Sequence, residues 1–232
     1  MRKIKVFWNL NELAHWNDVF DQQWKCMVKS GLDRAADDII LMGSGRKRTF
    51  LPLVESRPDH NNIGFVSVCD SAALHEYPGL AYLHKQAKEA EEPFDICYIH
   101  MKGLTRWGNP HVEDWKAWLN WCIIECWRDN VQALKAHDVS GPNWEVEPWP
   151  HFSSNFWWAR SEYVAGLVPL INPHYKMMTD TTQFKKVHDH WRFDHEAWIG
   201  SGNPNVVEIA RSFEQGDMHY THPYPRNLYR QD

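Results

Sequence analysis

The segment His151-Phe152-Ser153-Ser154-Asn155-Phe156-Trp157-Trp158-Ala159, preceded by Trp149-Pro150, sets flat apolar rings beside hydroxyl and amide groups. That combination suits a sugar, whose C–H face stacks on an aromatic surface while its hydroxyls seek directed hydrogen bonds. Trp157 and Trp158 are candidate platforms; His151, Ser153 and Asn155 are candidate hydroxyl readers. An aromatic core strand would carry the same run. Neighbouring strand residues point to opposite faces, so one tryptophan is expected to touch sugar and the other to pack.

A second candidate is Tyr98-Ile99-His100-Met101-Lys102-Gly103. Strand alternation puts His100 and Lys102 on one side, and Gly103 permits a sharp turn or a close backbone approach. Two cations on one side suit a diphosphate, and a neutral His100 could instead ligate a metal. The third candidate is Arg192-Phe193-Asp194-His195-Glu196-Ala197-Trp198-Ile199-Gly200, where Glu196 and Asp194 are possible bases between Trp191 and Trp198. An acidic helix start stabilised by the macrodipole would look alike. Nearby His188, Asp189 and His190 invite a zinc reading but lack recognisable ligand spacing.

Taken together, Tyr98–Gly103, Asp138–Trp144, His151–Ala159 and Arg192–Gly200 resemble, in order, a group of small glycosyltransferases. These have a GT-A-like fold and occur in large viruses and in bacterial surface-polysaccharide clusters. Trp16–Leu32 is similar to that family's first helix, so the resemblance runs from near the N-terminus to about Gly202. It implies transfer of a sugar from a nucleotide diphosphate donor to a glycan hydroxyl. His100 and Lys102 fall where many GT-A enzymes carry an acidic metal-binding D-x-D, absent here. Mn²⁺ or Mg²⁺ would then have to be held by Asp70 or His100 together with the diphosphate. Ser154 stands where the resemblance leads one to expect glycine, and a larger residue would narrow the sugar pocket.

The elements that must position these residues follow from periodicity. Lys3–Trp8 reads as a strand, and Trp16, Val19, Phe20, Trp24, Met27 and Val28 mark a helix stopped by Gly31. Residues 38–43 and 62–69 read as buried strands, 77–90 as a helix, and 94–99 as another strand. This alternation predicts an α/β fold: one GT-A-like domain with a mostly parallel central sheet flanked by helices. From Pro110, Trp115, Trp118, Leu119, Cys122, Ile123, Cys126, Trp127, Val131 and Leu134 form one apolar stripe, expected as core. Extended pieces at Val139 and 151–159, a helix over 161–167, a loop over 169–188 and a short helix near 195–199 follow, with a tail from His219 wrapping the surface. Ligands of open α/β sheets bind beyond the carboxyl ends of strands, which singles out Asn9, Asp70 and His100.

Composition bounds the function. The formal net charge of −5 and pI near 6.3 argue against a general nucleic-acid binder. The 14 Trp sit in a chain of low mean hydropathy, with no transmembrane stretch; polar Asn9 arrives too early for a signal peptide. The 5 Cys form no CxxC pair and read as free thiols in a reducing, cytoplasmic setting.

The expected enzyme is therefore a nucleotide-sugar-dependent glycosyltransferase over residues 1–232, with a donor-nucleotide half at 1–105 and an acceptor half and tail at 106–232. Donor contacts fall to Asn9, Asp70, His100, Lys102 and Gly103, and acceptor contacts to the 151–158 residues. Glu196 is the expected base, with Asp194 in reserve. Its rivals are a glycan-binding module built on the same tryptophans and a metal-dependent hydrolase built on residues 188–196.

Overall fold

The computed structural model describes residues 2–57, 59–171, 192–212 and 216–229. Strand β1 (Lys3–Asn11) opens the fold, its apolar run buried on both faces. Val6 and Trp8 point into one core layer and Phe7 into the other, as a two-residue period requires. Strands β2 (Asp38–Ser44), β3 (Ile63–Cys69) and β4 (Phe94–His100) join it in parallel. Strands β5 (Val139–Pro142), β6 (Trp144–Glu145), β7 (His151–Phe152), β8 (Trp157–Arg160) and β9 (Val206–Ala210) follow. The main sheet has seven strands in the order β3-β2-β1-β4-β8-β5-β9, while β6 and β7 pair separately. Among the described strands of the main sheet, only β8 runs antiparallel to its neighbours. The expected mostly parallel α/β sheet is present.

Helices cover both faces. Helix α1 (Trp16–Ser30) stops at Gly31, whose φ of 76° lets its N–H reach back to the Met27 and Val28 carbonyls. Then come α2 (Leu32–Ala35), α3 (Lys47–Glu55), α4 (Tyr77–Lys88), α5 (Pro110–Asn120), α6 (Trp127–Ala133), α7 (Ser161–Gly166) and α8 (Phe193–Ala197). The long stripe from Pro110 is not one α-helix: residues Trp121–Glu125 widen into a π-helical turn between α5 and α6. Such a turn frees carbonyls that need other donors. Asn130 Nδ2 donates to the Cys122 and Cys126 carbonyls at 2.8 and 3.0 Å, and Trp158 Nε1 donates to that of Ile123 at 2.9 Å.

The 151–159 segment is not continuous strand either. Between β7 and β8, Ser154 and Asn155 adopt φ of 60° and 54°, a left-handed reversal. The glycine expected at Ser154 would enter that conformation freely; serine holds it through two contacts, its Oγ accepting from Trp115 Nε1 at 3.1 Å and its carbonyl accepting from His100 Nε2 at 2.6 Å. Gly200 is required for another reason: a Cβ there would overlap the Pro150 carbonyl, so the 3₁₀ turn Trp198–Gly200 after α8 can press against Pro150. The tail packs on α5 through 3₁₀ turns at Gly216–Tyr220 and Arg226–Leu228, with the buried Tyr224 donating its N–H to Asp114. Most of the expected 169–188 loop lies outside the described residues.

Candidate functional site

The chain runs from β1 outward through β2 to β3, then returns to place β4 on the other side of β1. The crevice beyond the carboxyl ends of β1 and β4 is therefore the switch point where open α/β sheets bind ligands. A cleft of about 340 Å³ opens there. Strand β1 supplies Asn9 and Asn11; the end of β4 and the turn after it supply His100, Lys102, Gly103 and Arg106. The N-terminal end of α4 adds Glu76, the third motif adds Arg192 and Glu196, and the tail adds Tyr220. Gly103, at φ 82°, makes the turn that folds Lys102 and Arg106 back over the cleft, and a Cβ there would press on Val112 and Lys116.

The first and third motifs reach the cleft differently from expectation. Glu196 is half-buried on the cleft wall, whereas Asp194 is buried at 3% exposure away from it. Trp157 and Trp158 do point to opposite faces, but both are fully buried, one in each core layer. Neither offers a face to a sugar, because β8 is an interior strand covered on both sides. Asn155 is buried too, its Oδ1 accepting from Trp157 Nε1 at 2.8 Å. His151 is half-buried, its Nδ1 donating to the Trp149 carbonyl, and Ser153 donates its backbone N–H to Asn143; neither lines the cleft.

Asp70 is exposed at the end of β3 and also lies outside the cleft. Strands β2 and β1 stand between β3 and β4, so Asp70 and His100 are on the order of 14 Å apart. That separation does not fit one Mn²⁺ or Mg²⁺ bound by both. Among the described residues, no group of three or more His, Cys, Asp or Glu side chains is placed to hold a metal ion. His188, Asp189 and His190 of the zinc reading lie outside the described residues, as does Trp191.

Glu76, Arg106 and Tyr220 are among the cleft residues not singled out from sequence. Glu76 receives hydrogen bonds on one oxygen from Tyr98 and Asn155, both at 2.8 Å. Burial, reinforced by the Glu76 charge, pushes the Tyr98 hydroxyl well above its ordinary range, so it stays a donor. Arg106 lies with its guanidinium 4.0 Å from the Tyr220 ring centre, and Lys102 Nζ stands 3.5 Å from the Tyr220 hydroxyl. Arg106 had a signal, a cation in the turn following HxKG. Glu76 and Tyr220 had none, being remote in sequence from every motif.

The neighbour of Tyr220, His219, is 5% exposed and stacked on Trp115 with ring centres 3.4 Å apart. Burial, and secondarily the Lys102 charge, lowers its pKa from 6.5 to about 4. The unfolded imidazole thus takes a proton before the folded one does. This contribution to stability is complete above pH 6.5 and is lost as pH falls toward 4, by up to about 3 kcal/mol. A His219→Phe protein, which keeps the stack, should show a shallower acid loss in urea unfolding followed from pH 7.5 to 4.5. Equal acid sensitivity in both proteins would assign the loss to other groups.

Residues 6–207 match the family model described as Domain of unknown function (DUF8361), and the chain belongs to that family. No curated protein matches the sequence. Among solved structures, the chain is similar to 4-diphosphocytidyl-2C-methyl-D-erythritol synthase from Anaerococcus prevotii, with 10% identity and a TM-score of 0.44 over 98% of this chain and 95% of that one. It is also similar to HddC from Yersinia pseudotuberculosis, with 10% identity and a TM-score of 0.46 over 91% of each chain. Among the described residues, no helix is long and apolar enough to cross a membrane.

Proposed function

We propose that the chain is a glycosyltransferase that moves a sugar from a nucleoside diphosphate donor to a glycan hydroxyl. The observation that carries this reading is the switch-point cleft, in which Lys102, Arg106 and Arg192 share the wall with the carboxylate of Glu196. The cations meet the charge that develops on a departing diphosphate. As the acceptor oxygen bonds to the anomeric carbon, the bond from that carbon to the diphosphate oxygen breaks and its electron pair leaves with the phosphate. The acceptor proton passes to Glu196. Asn9 and Asn11 supply amides for the nucleoside end, and Tyr220 supplies the aromatic face that the buried tryptophans do not. The lectin reading loses its platform with those tryptophans.

A panel of nucleotide sugars, assayed for acceptor-dependent release of nucleoside diphosphate with and without Mn²⁺ or Mg²⁺, tests the proposal. Release of pyrophosphate from nucleoside triphosphate and sugar phosphate, with no nucleoside diphosphate formed, would replace glycosyl transfer by nucleotidyl transfer. Lys102→Ala removes one charge-assisted contact of about 1.5–3 kcal/mol. The expected result is a roughly 10- to 150-fold weaker donor dissociation constant by calorimetry, with acceptor binding unchanged. Unaltered donor affinity would take Lys102 out of the diphosphate site.

A further inference from the structure

Glu76 is where the HxKG and aromatic motifs meet. Tyr98 and His100 come from the first, Asn155 and Ser154 from the second, yet Glu76 belongs to neither. The Tyr98 hydroxyl and Asn155 Nδ2 both donate to Oε2. Asn155 is itself oriented by Trp157, and Tyr98 stacks on Trp157 at 4.9 Å, so the carboxylate is held from two directions. Oε1 has no hydrogen bond among the described residues and stands 3.9 Å from His100 Nδ1. The opposite nitrogen of that ring, Nε2, must carry a proton because it donates to the Ser154 carbonyl. In the neutral ring, Nδ1 is then an acceptor.

With the His100 ring neutral, two acceptors stand side by side on the cleft wall, 3.9 Å apart and already fixed by the residues behind them. We propose that Glu76 Oε1 and His100 Nδ1 together receive the hydroxyls of a vicinal diol, one O–H donating to each. A single hydroxyl has one proton and satisfies only one acceptor, whereas adjacent hydroxyls on a sugar ring offer two at matching spacing. The ligand class is thus a carbohydrate vicinal diol, carried either by the transferred hexose or by the ribose of the nucleotide. The inference rests on the transferase reading for its ligand.

Calorimetry on the full chain separates the possibilities, using nucleoside diphosphates, their 2′-deoxy forms, nucleoside diphosphate hexoses and free hexoses. Glu76→Gln retains an acceptor for Tyr98 and Asn155 but loses the charge, and should weaken binding of the diol-bearing ligand by about 10- to 100-fold. If the hexose carries the diol, the variant discriminates against the nucleotide sugar and leaves the bare nucleotide unaffected. If the ribose carries it, wild type prefers ribo over 2′-deoxy nucleotides and the variant does not. A folded Glu76→Gln protein that binds all of these as tightly as wild type overturns the inference. A His100→Gln variant with the same pattern of losses would support the pairing should Glu76→Gln fail to fold. Wild type that binds free hexose in a Glu76-dependent way but no nucleotide would overturn the transferase reading and leave the diol site standing.

Discussion

A Glu196→Gln protein is expected to fold normally, bind nucleoside diphosphate like wild type, and turn over roughly 10²–10⁴-fold more slowly. Glutamine keeps the size and much of the hydrogen bonding of glutamate but takes no proton. The side chain is half-buried on the cleft wall, so its replacement disturbs little packing. The neighbouring carboxylate makes the control. Asp194 is nearly fully buried away from the cleft, so Asp194→Asn should act on stability, by about 1–3 kcal/mol. Single-turnover kinetics beside urea unfolding on the two variants separates these roles. Near-wild-type turnover in folded Glu196→Gln would remove it as the base.

The largest loss of stability should come from the adjoining tryptophans. Trp158→Ala is expected to cost about 3–5 kcal/mol, because the ring is fully buried and its N–H satisfies the Ile123 carbonyl in the π-helical turn. The milder pair Trp157→Phe and Trp158→Phe discriminates further. Trp157 holds Asn155, which holds Glu76, so its replacement should reduce turnover as well as stability. Trp158→Phe should lower the urea midpoint and spare the turnover of the folded fraction. Equal ratios of activity loss to stability loss in both would leave only packing.

Local pattern made most elements legible. The two-residue alternation of Val6, Phe7 and Trp8 and the helical spacing ending at Gly31 are short-range signals, and both elements form where they point. The HxKG segment was legible for the same reason: His100 ends a buried strand and the turn at Gly103 follows. Helix α3 was not, because Pro52 sits inside it and its single fully buried residue, Phe50, makes no stripe. Strand β9 also went unread, although Val206, Val207 and Ile209 give it apolar, β-branched character; it is half-buried along its length. The π-helical turn left the apolar stripe from Pro110 looking continuous, since widening one turn shifts the register without changing which residues are apolar.

The sequence by itself determined the strand ends, the polar residues standing on them and the chemistry those residues own. Strand order, which arises from pairings between remote segments, decided which ends share a cleft. It placed Asn9 beside His100 and left Asp70 two strands away. It also inserted β8 between β4 and β5, which buried both faces of the most aromatic segment and turned its expected sugar platform into core. Glu76 entered the cleft only because the start of α4 packs against the ends of β4 and β8, a contact that exists once the chain has closed on itself. Residue type sets what a side chain can do at short range. Which of those capacities face water, and therefore a ligand, depends on burial that no local window contains.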